Sequence, residues 1–162
     1  MLFDHIEEKE AVMRAAMIEV NGSRFYAMLA EETYDDDAKR ILGKLARDEK
    51  RHLKTIEAKY FPEAGFPVDE ITEEETAIEE YVAKSADMDI FTKRMDVEKL
   101  TGLFDSPKKA LLIALNAERY SVDYFENMGR RCRAEDARKI CRELAEEERA
   151  HVKHIEDMLA RL

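Results

Sequence analysis

Two Glu-x-x-His motifs carry the chemistry of this sequence. One closes the stretch Leu45-Ala-Arg-Asp-Glu-Lys-Arg-His52, and the other closes Leu144-Ala-Glu-Glu-Glu-Arg-Ala-His151, 99 residues further on. On an α-helix this spacing puts the carboxylate and the imidazole on one face, about one turn apart, where both can reach a single metal ion. The same offset carries Glu19, in Glu19-Val-Asn-Gly-Ser-Arg-Phe-Tyr26, onto Glu118, in Glu118-Arg-Tyr-Ser-Val-Asp-Tyr-Phe125. Four glutamates and two histidines therefore recur with no insertion between the halves, the mark of an internal duplication.

The elements that must position these groups are four long helices. Helix 1, about 7–32, has the seam Val12, Ala16, Glu19, Ser23, Tyr26, Ala30, which steps by four and three as a packed bundle helix does. Helix 2, about 36–60, repeats the rhythm with Ala38, Leu42, Leu45, Glu49, His52, Ile56, and Asp35 or Asp36 is placed to cap it. Pro62, Gly65 and Pro67 are expected to end it. Ser106-Pro107, an N-cap followed by proline at the first helical position, opens helix 3, whose seam is Leu111, Leu115, Glu118, Val122, Phe125, Gly129. Helix 4, about 135–161, carries Ala137, Cys141, Leu144, Glu148, His151, Ile155. Each seam is apolar except at one level.

That level is the same in all four helices. Glu19 lies 14 residues before Thr33, and Glu49 comes about as far after the turn, so at about 1.5 Å per residue both carboxylates sit roughly 20 Å from it. Helices 3 and 4 repeat the arithmetic around Cys132. The stretch 62–105 must then carry the chain back along the bundle so that helices 2 and 3 run parallel. Within it, Thr72-Glu-Glu-Glu75 reads as a capping box that starts a short helix, and Ile90, Phe91, Met95, Leu100, Leu103 and Phe104 offer apolar cover. The expected architecture is all-α: one domain over 1–162, with repeats at about 7–61 and 106–161 joined by the crossover.

A glutamate on a seam has an ordinary explanation, since a single buried polar residue can fix helix register. Four at one height do not. Facing one another in an apolar core they would cost several kcal/mol each, and like charges would force protonation. Two divalent cations remove that cost, because four positive charges balance four carboxylates. Neutral imidazoles complete a mixed nitrogen and oxygen set that suits iron or manganese better than calcium. Glu73, Glu74, Glu75 and Glu146 read as solvated faces, and His5 and His154, with no glutamate three residues before them, read as surface or helix-end histidines.

Composition narrows the class further. Of the 162 residues, 45% are apolar, enough for a core without staples, while 40% charged residues with five Gly, three Pro and no Trp favour helices. The net charge of −10 argues against nucleic acid and against an anionic membrane surface. No apolar run matches a membrane span and the N-terminus lacks a signal-peptide pattern, so the expected compartment is cytoplasmic. Cys132 and Cys141 form no Cys-x-x-Cys pair and are expected to be structural.

The paired motifs resemble the ferritin-like di-iron carboxylate superfamily, whose bundle sites use this ligand scheme. The resemblance covers both halves, and the segments around Phe25-Tyr26 and Leu144–His151 look most like rubrerythrin-type proteins. It implies a ferritin-like four-helix bundle with a long crossover between helices 2 and 3 containing short helices. It further implies two irons bridged by Glu49 and Glu148, with Glu19 and Glu118 more terminal and His52 and His151 at the two ends; manganese or zinc are possible substitutes. Tyr26 matches a tyrosine that donates a hydrogen bond from behind the ligands. Asp48 and Glu147 resemble acidic residues that orient the opposite histidine, which pairs Asp48 with His151 and Glu147 with His52.

Departures from the pattern shape the functional expectation. Ser121 stands where rubrerythrins carry an extra glutamate, which leaves a symmetric six-ligand site closer to that of bacterioferritins. Lys50 replaces the bacterioferritin haem methionine, and Phe125 stands at the second copy of the tyrosine. No rubredoxin-type cysteine knuckle accompanies the bundle, so an external electron-donor protein is expected. The resemblance implies reduction of hydrogen peroxide, or of dioxygen, to water, in a homodimer. Iron oxidation and storage in a cage, or non-redox metal binding, are the alternative readings.

Overall fold

The computed structural model describes residues 8–64 and 107–162, and these form four α-helices. They are α1 Glu8–Glu32, α2 Asp36–Ala64, α3 Pro107–Arg131 and α4 Glu135–Ala160. The architecture is an all-α four-helix bundle in which α1 packs along α2 and α3 along α4, with α2 meeting α4 and α1 meeting α3 across the middle. The crossover, its expected short helix, Ser106 and His5 lie outside the described residues. Among those residues, no helix is long and apolar enough to cross a membrane.

Local chemistry accounts for the helix ends. The Asp35 carboxylate accepts the backbone N–H of Ala38 at 2.7 Å, so Asp35 rather than Asp36 caps α2. Pro107 occupies the first position of α3, where its missing N–H costs nothing. One expected boundary moves. Pro62 does not end α2, which runs on to Ala64. The proline lies within the last turn, where one lost backbone bond is all that its ring imposes on a helix about to stop.

The start of α3 (Pro107, Ala110, Leu111) lines one cavity with Leu29 and Thr33 at the end of α1, Ala38 and Leu42 at the start of α2, and Met158 at the end of α4. Helices α2 and α3 therefore begin at the same end and run parallel, as the long connection between them requires.

The four seams bury two apolar clusters, one above and one below a polar level. The first joins Val12, Ala16, Ile56, Tyr60, Phe125 and Leu144. The second joins Tyr26, Leu29, Leu45, Leu115 and Ile155 among others. Glu19, Glu49, His52, Glu118, Glu148 and His151 fall between the two on their respective helices. All seam residues are buried except Ala38 and Val122, which are half-buried. Helix α1 departs from the single-seam expectation: every residue from Ala15 to Ser23 is buried, including Met17, Ile18 and Val20 off the seam. Over these residues the helix has no solvent face, which a search for one apolar stripe passes over.

Leu45 is fully buried one turn below Glu49 in the second cluster. Leu45→Ala should lower unfolding free energy by about 3 kcal/mol through lost contacts and a residual cavity. A urea titration followed by far-ultraviolet circular dichroism measures this, with the helical signal of the folded protein unchanged.

Candidate metal centre

All four helices supply candidate ligands: Glu19 from α1, Glu49 and His52 from α2, Glu118 from α3, and Glu148 and His151 from α4. All six are at most 3% exposed. Their ligand atoms form two groups, Glu19, Glu49, His52 and Glu148 in one and Glu49, Glu118, Glu148 and His151 in the other. Within each group the atoms lie within 4.8 Å of one another, so each group could hold a metal ion. Glu49 and Glu148 belong to both.

The imidazoles face the carboxylates through Nδ1. His52 Nδ1 lies 3.1 Å from Glu148, 3.3 Å from Glu19 and 3.7 Å from Glu49. His151 Nδ1 lies 3.0 Å from both Glu49 and Glu148 and 3.6 Å from Glu118. The two rings are nearly parallel, 18° apart in plane, with centroids separated by 5.7 Å. Each ring then turns its Nε2 outward to an acid on the opposite α2 or α4 helix. His52 meets Glu147 at 2.8 Å and His151 meets Asp48 at 3.2 Å, the crossed pairing expected from the sequence. This outward bond fixes the ring and leaves Nδ1 pointing inward.

Further side chains hold the outer acids in place. Arg51 grips Glu147 with both terminal nitrogens, and Lys44 donates to Asp48 at 2.7 Å. The Arg51 contact, with help from His52, pulls the Glu147 carboxyl down to about 2. Partial burial opposes ionisation of Asp48, but Lys44 and His151 bring it below its ordinary range. Tyr26 donates to Glu118, and burial beside that carboxylate raises the phenol well above its ordinary range, so it remains a donor.

Sequence reading did not single out Lys44, Arg51 or Gly22. Lys44 stands four residues before Asp48, a helical ion-pair spacing visible in the sequence. A side-chain carbon on Gly22 would come within 3.3 Å of the Glu49 carboxyl carbon, so the glycine leaves room for that carboxylate. Glycine in mid-helix costs stability, and that was the available signal. Ser121, its counterpart in the second repeat, turns its hydroxyl back to the Ala117 carbonyl at 3.0 Å. His154, read as a surface or helix-end histidine, is half-buried.

The charge pattern reflects how much negative charge is packed here. Burial, reinforced by Glu49 and Glu148, pushes the Glu19 carboxyl well up. Burial and Glu148 push Glu118 up to about 7. Burial and Glu49 act upward on Glu148 as well, but its contacts with His151 and His52 outweigh them and leave it lowered. For both histidines burial opposes charge, yet the surrounding carboxylates raise them well above the ordinary imidazole range. Even so, both oxygens of Glu19, Glu49 Oε1, Glu118 Oε2, Glu148 Oε2 and His151 Nδ1 are buried without a hydrogen bond. Buried polar atoms left in this way call for a further partner, and carboxylate oxygens with imidazole nitrogens form a donor set that fits divalent transition metals.

No family model matches this chain, and no curated protein does either. Among solved structures, a hypothetical protein from Pyrococcus furiosus superposes with a TM-score of 0.68 at 17% identity, over 96% of this chain and 89% of that one. This likeness is one of fold.

The signs of these shifts set the pH response. Glu19 and Glu118 have folded values above the unfolded 4.5, so their contributions are complete below 4.5 and are lost as pH rises, through about 7 for Glu118. The raised histidines act in the same direction above 6.5. Glu147, lowered to about 2, contributes above 4.5 and loses that contribution in acid. The metal-free protein should therefore melt at a lower temperature at pH 8 than at pH 5. The rise in melting temperature on adding a divalent metal should grow over the same interval, since ligands must shed protons to bind. Differential scanning calorimetry at several pH values checks both slopes.

Proposed function

We propose that this protein is a non-haem di-iron redox protein, a rubrerythrin-like member of the ferritin-like superfamily, that reduces hydrogen peroxide or dioxygen to water with electrons from an external donor protein. The observation that carries the reading is the pair of buried Glu/His groups sharing Glu49 and Glu148. Two shared carboxylates would suit two ions side by side, whereas a site for a single structural ion needs no such sharing. With iron bound, the centre would supply one electron from each of two ferrous ions, the two electrons that conversion of one peroxide to two waters consumes.

The protein's own groups have definable parts in this scheme. Glu19 with His52 would serve one ion and Glu118 with His151 the other, while Glu49 and Glu148 would serve both. Asp48 and Glu147 hold the outward N–H of each imidazole and so keep its inner nitrogen available. Tyr26 keeps a proton against Glu118, a hydrogen bond that steadies this carboxylate. Burial of all six ligands favours small oxidants over extended substrates. A homodimeric, cytoplasmic protein accompanies this reading.

Ligand sharing makes the test sharp. Wild-type protein reconstituted anaerobically should bind about two ferrous ions per chain, and one equivalent of peroxide should oxidise both far faster than ferrous ion in buffer. Glu19→Ala should retain about one ion, while Glu49→Ala or Glu148→Ala should weaken both by roughly tenfold or more. Metal analysis and stopped-flow absorbance read these outcomes. Two tightly held zinc ions, or iron oxidised no faster than in buffer, would move the function to non-redox metal binding; a large cage on a sizing column would favour iron storage.

A further inference from the structure

Cys132 and Cys141, expected to be inert, are neighbours. Cys132 immediately follows α3, Cys141 lies on the second turn of α4, and both are buried, outside any disulfide, in the same cluster as Tyr60. The Cys141 sulfur is 3.0 Å from the Tyr60 hydroxyl, which also donates to the Ala137 carbonyl at 2.9 Å. The Cys132 thiol is hydrogen-bonded to that of Cys141, and this contact, with Tyr60, holds the Cys141 thiol below its ordinary range despite burial. Gly129 makes the approach possible: a side-chain carbon there would meet the Cys141 Cβ at 3.0 Å, so its absence lets α3 settle closely on α4.

A lone buried cysteine behaves as a small hydrophobe. Two in mutual contact need little movement to bond. We propose that Cys132 and Cys141 are a redox-active thiol pair, which hydrogen peroxide converts into an intramolecular disulfide tying the end of α3 to the start of α4. Cys132 is the more exposed, 4% against 0%, and is therefore the sulfur that a dissolved oxidant meets first.

The steps balance with peroxide as the sole oxidant. The Cys132 sulfur attacks one peroxide oxygen, the O–O bond breaks, and the departing hydroxide takes the thiol proton to give water and a sulfenic acid at Cys132. The Cys141 sulfur then attacks the Cys132 sulfur and the S–O bond breaks. The second hydroxide takes the Cys141 proton and leaves as water. Two thiols and one peroxide become one disulfide and two waters. Nothing here depends on which metal the carboxylate groups hold.

The test uses the reduced, full-length protein treated with peroxide, and in parallel with the thiol oxidant diamide, then alkylated under denaturing conditions and cleaved after glutamate. Mass spectrometry should find the peptide ending at Glu135 joined to the one ending at Glu143, with the intact chain lighter by two hydrogens and still monomeric in mass. In Cys141→Ser, dimedone should trap a sulfenic acid at Cys132, at a rate roughly tenfold above that at Cys141 in Cys132→Ser. Two thiols that remain alkylatable, or a link between two chains, would overturn the pair. A link formed with diamide but not with peroxide would overturn the assigned oxidant. The wild-type readings need no variant to fold.

Discussion

Four carboxylates enclosed at one level of an apolar bundle impose the constraint on which the rest of this structure depends. An ion moved out of water costs several kcal/mol even after a protein relaxes around it, and the whole stability of a domain is about 5–15 kcal/mol. Glu19, Glu49, Glu118 and Glu148 left charged and unpaired would therefore consume the margin that keeps the chain folded. The two imidazoles between them offset part of this charge, burial makes Glu19 and Glu118 readier to hold a proton, and the bare oxygens that remain leave room for cations. The apolar clusters on either side supply the burial, and the helices carry the charge at the level where it can be shared.

The duplication explains why the sharing is so regular. Each half contributes one lone glutamate and one Glu-x-x-His pair, and packing the halves brings His52 under Glu148 and His151 under Glu49. The acid outside each ring also comes from the other half. Neither half completes a group alone. On the proposed reading, the function is a property of the interface between repeats.

Much of this could be read from the chain, because the signals were periodic. Steps of three and four fixed the helices and their inner faces, and the offset of 99 residues fixed which positions must meet. Arithmetic on helix rise then put the six groups at one height. What escaped depended on close contact between particular atoms. Gly22 matters because of how near the Glu49 carboxylate passes, and Cys132 and Cys141 meet because Gly129 lets two helices close together; no spacing rule encodes either distance. Pro62 was a matter of degree, since a proline in a final turn and one just beyond a helix leave almost the same trace in sequence. The burial of α1 all round from Ala15 to Ser23 was hidden by its polar residues: Asn21 and Ser23 suggest a wet face where there is none.

That burial bears on how the chain can change over evolutionary time. Helices α2, α3 and α4 each keep exposed positions where charge can be exchanged freely, whereas α1 offers none between Ala15 and Ser23. The first repeat therefore sets a helix with a stretch of constrained positions beside one with many exposed positions. Two copies that began as equals would diverge unevenly, with the segment around Glu19 preserved longest. Distant descendants of the same duplication would then be recognised first by α1, although it carries only one of the six ligands.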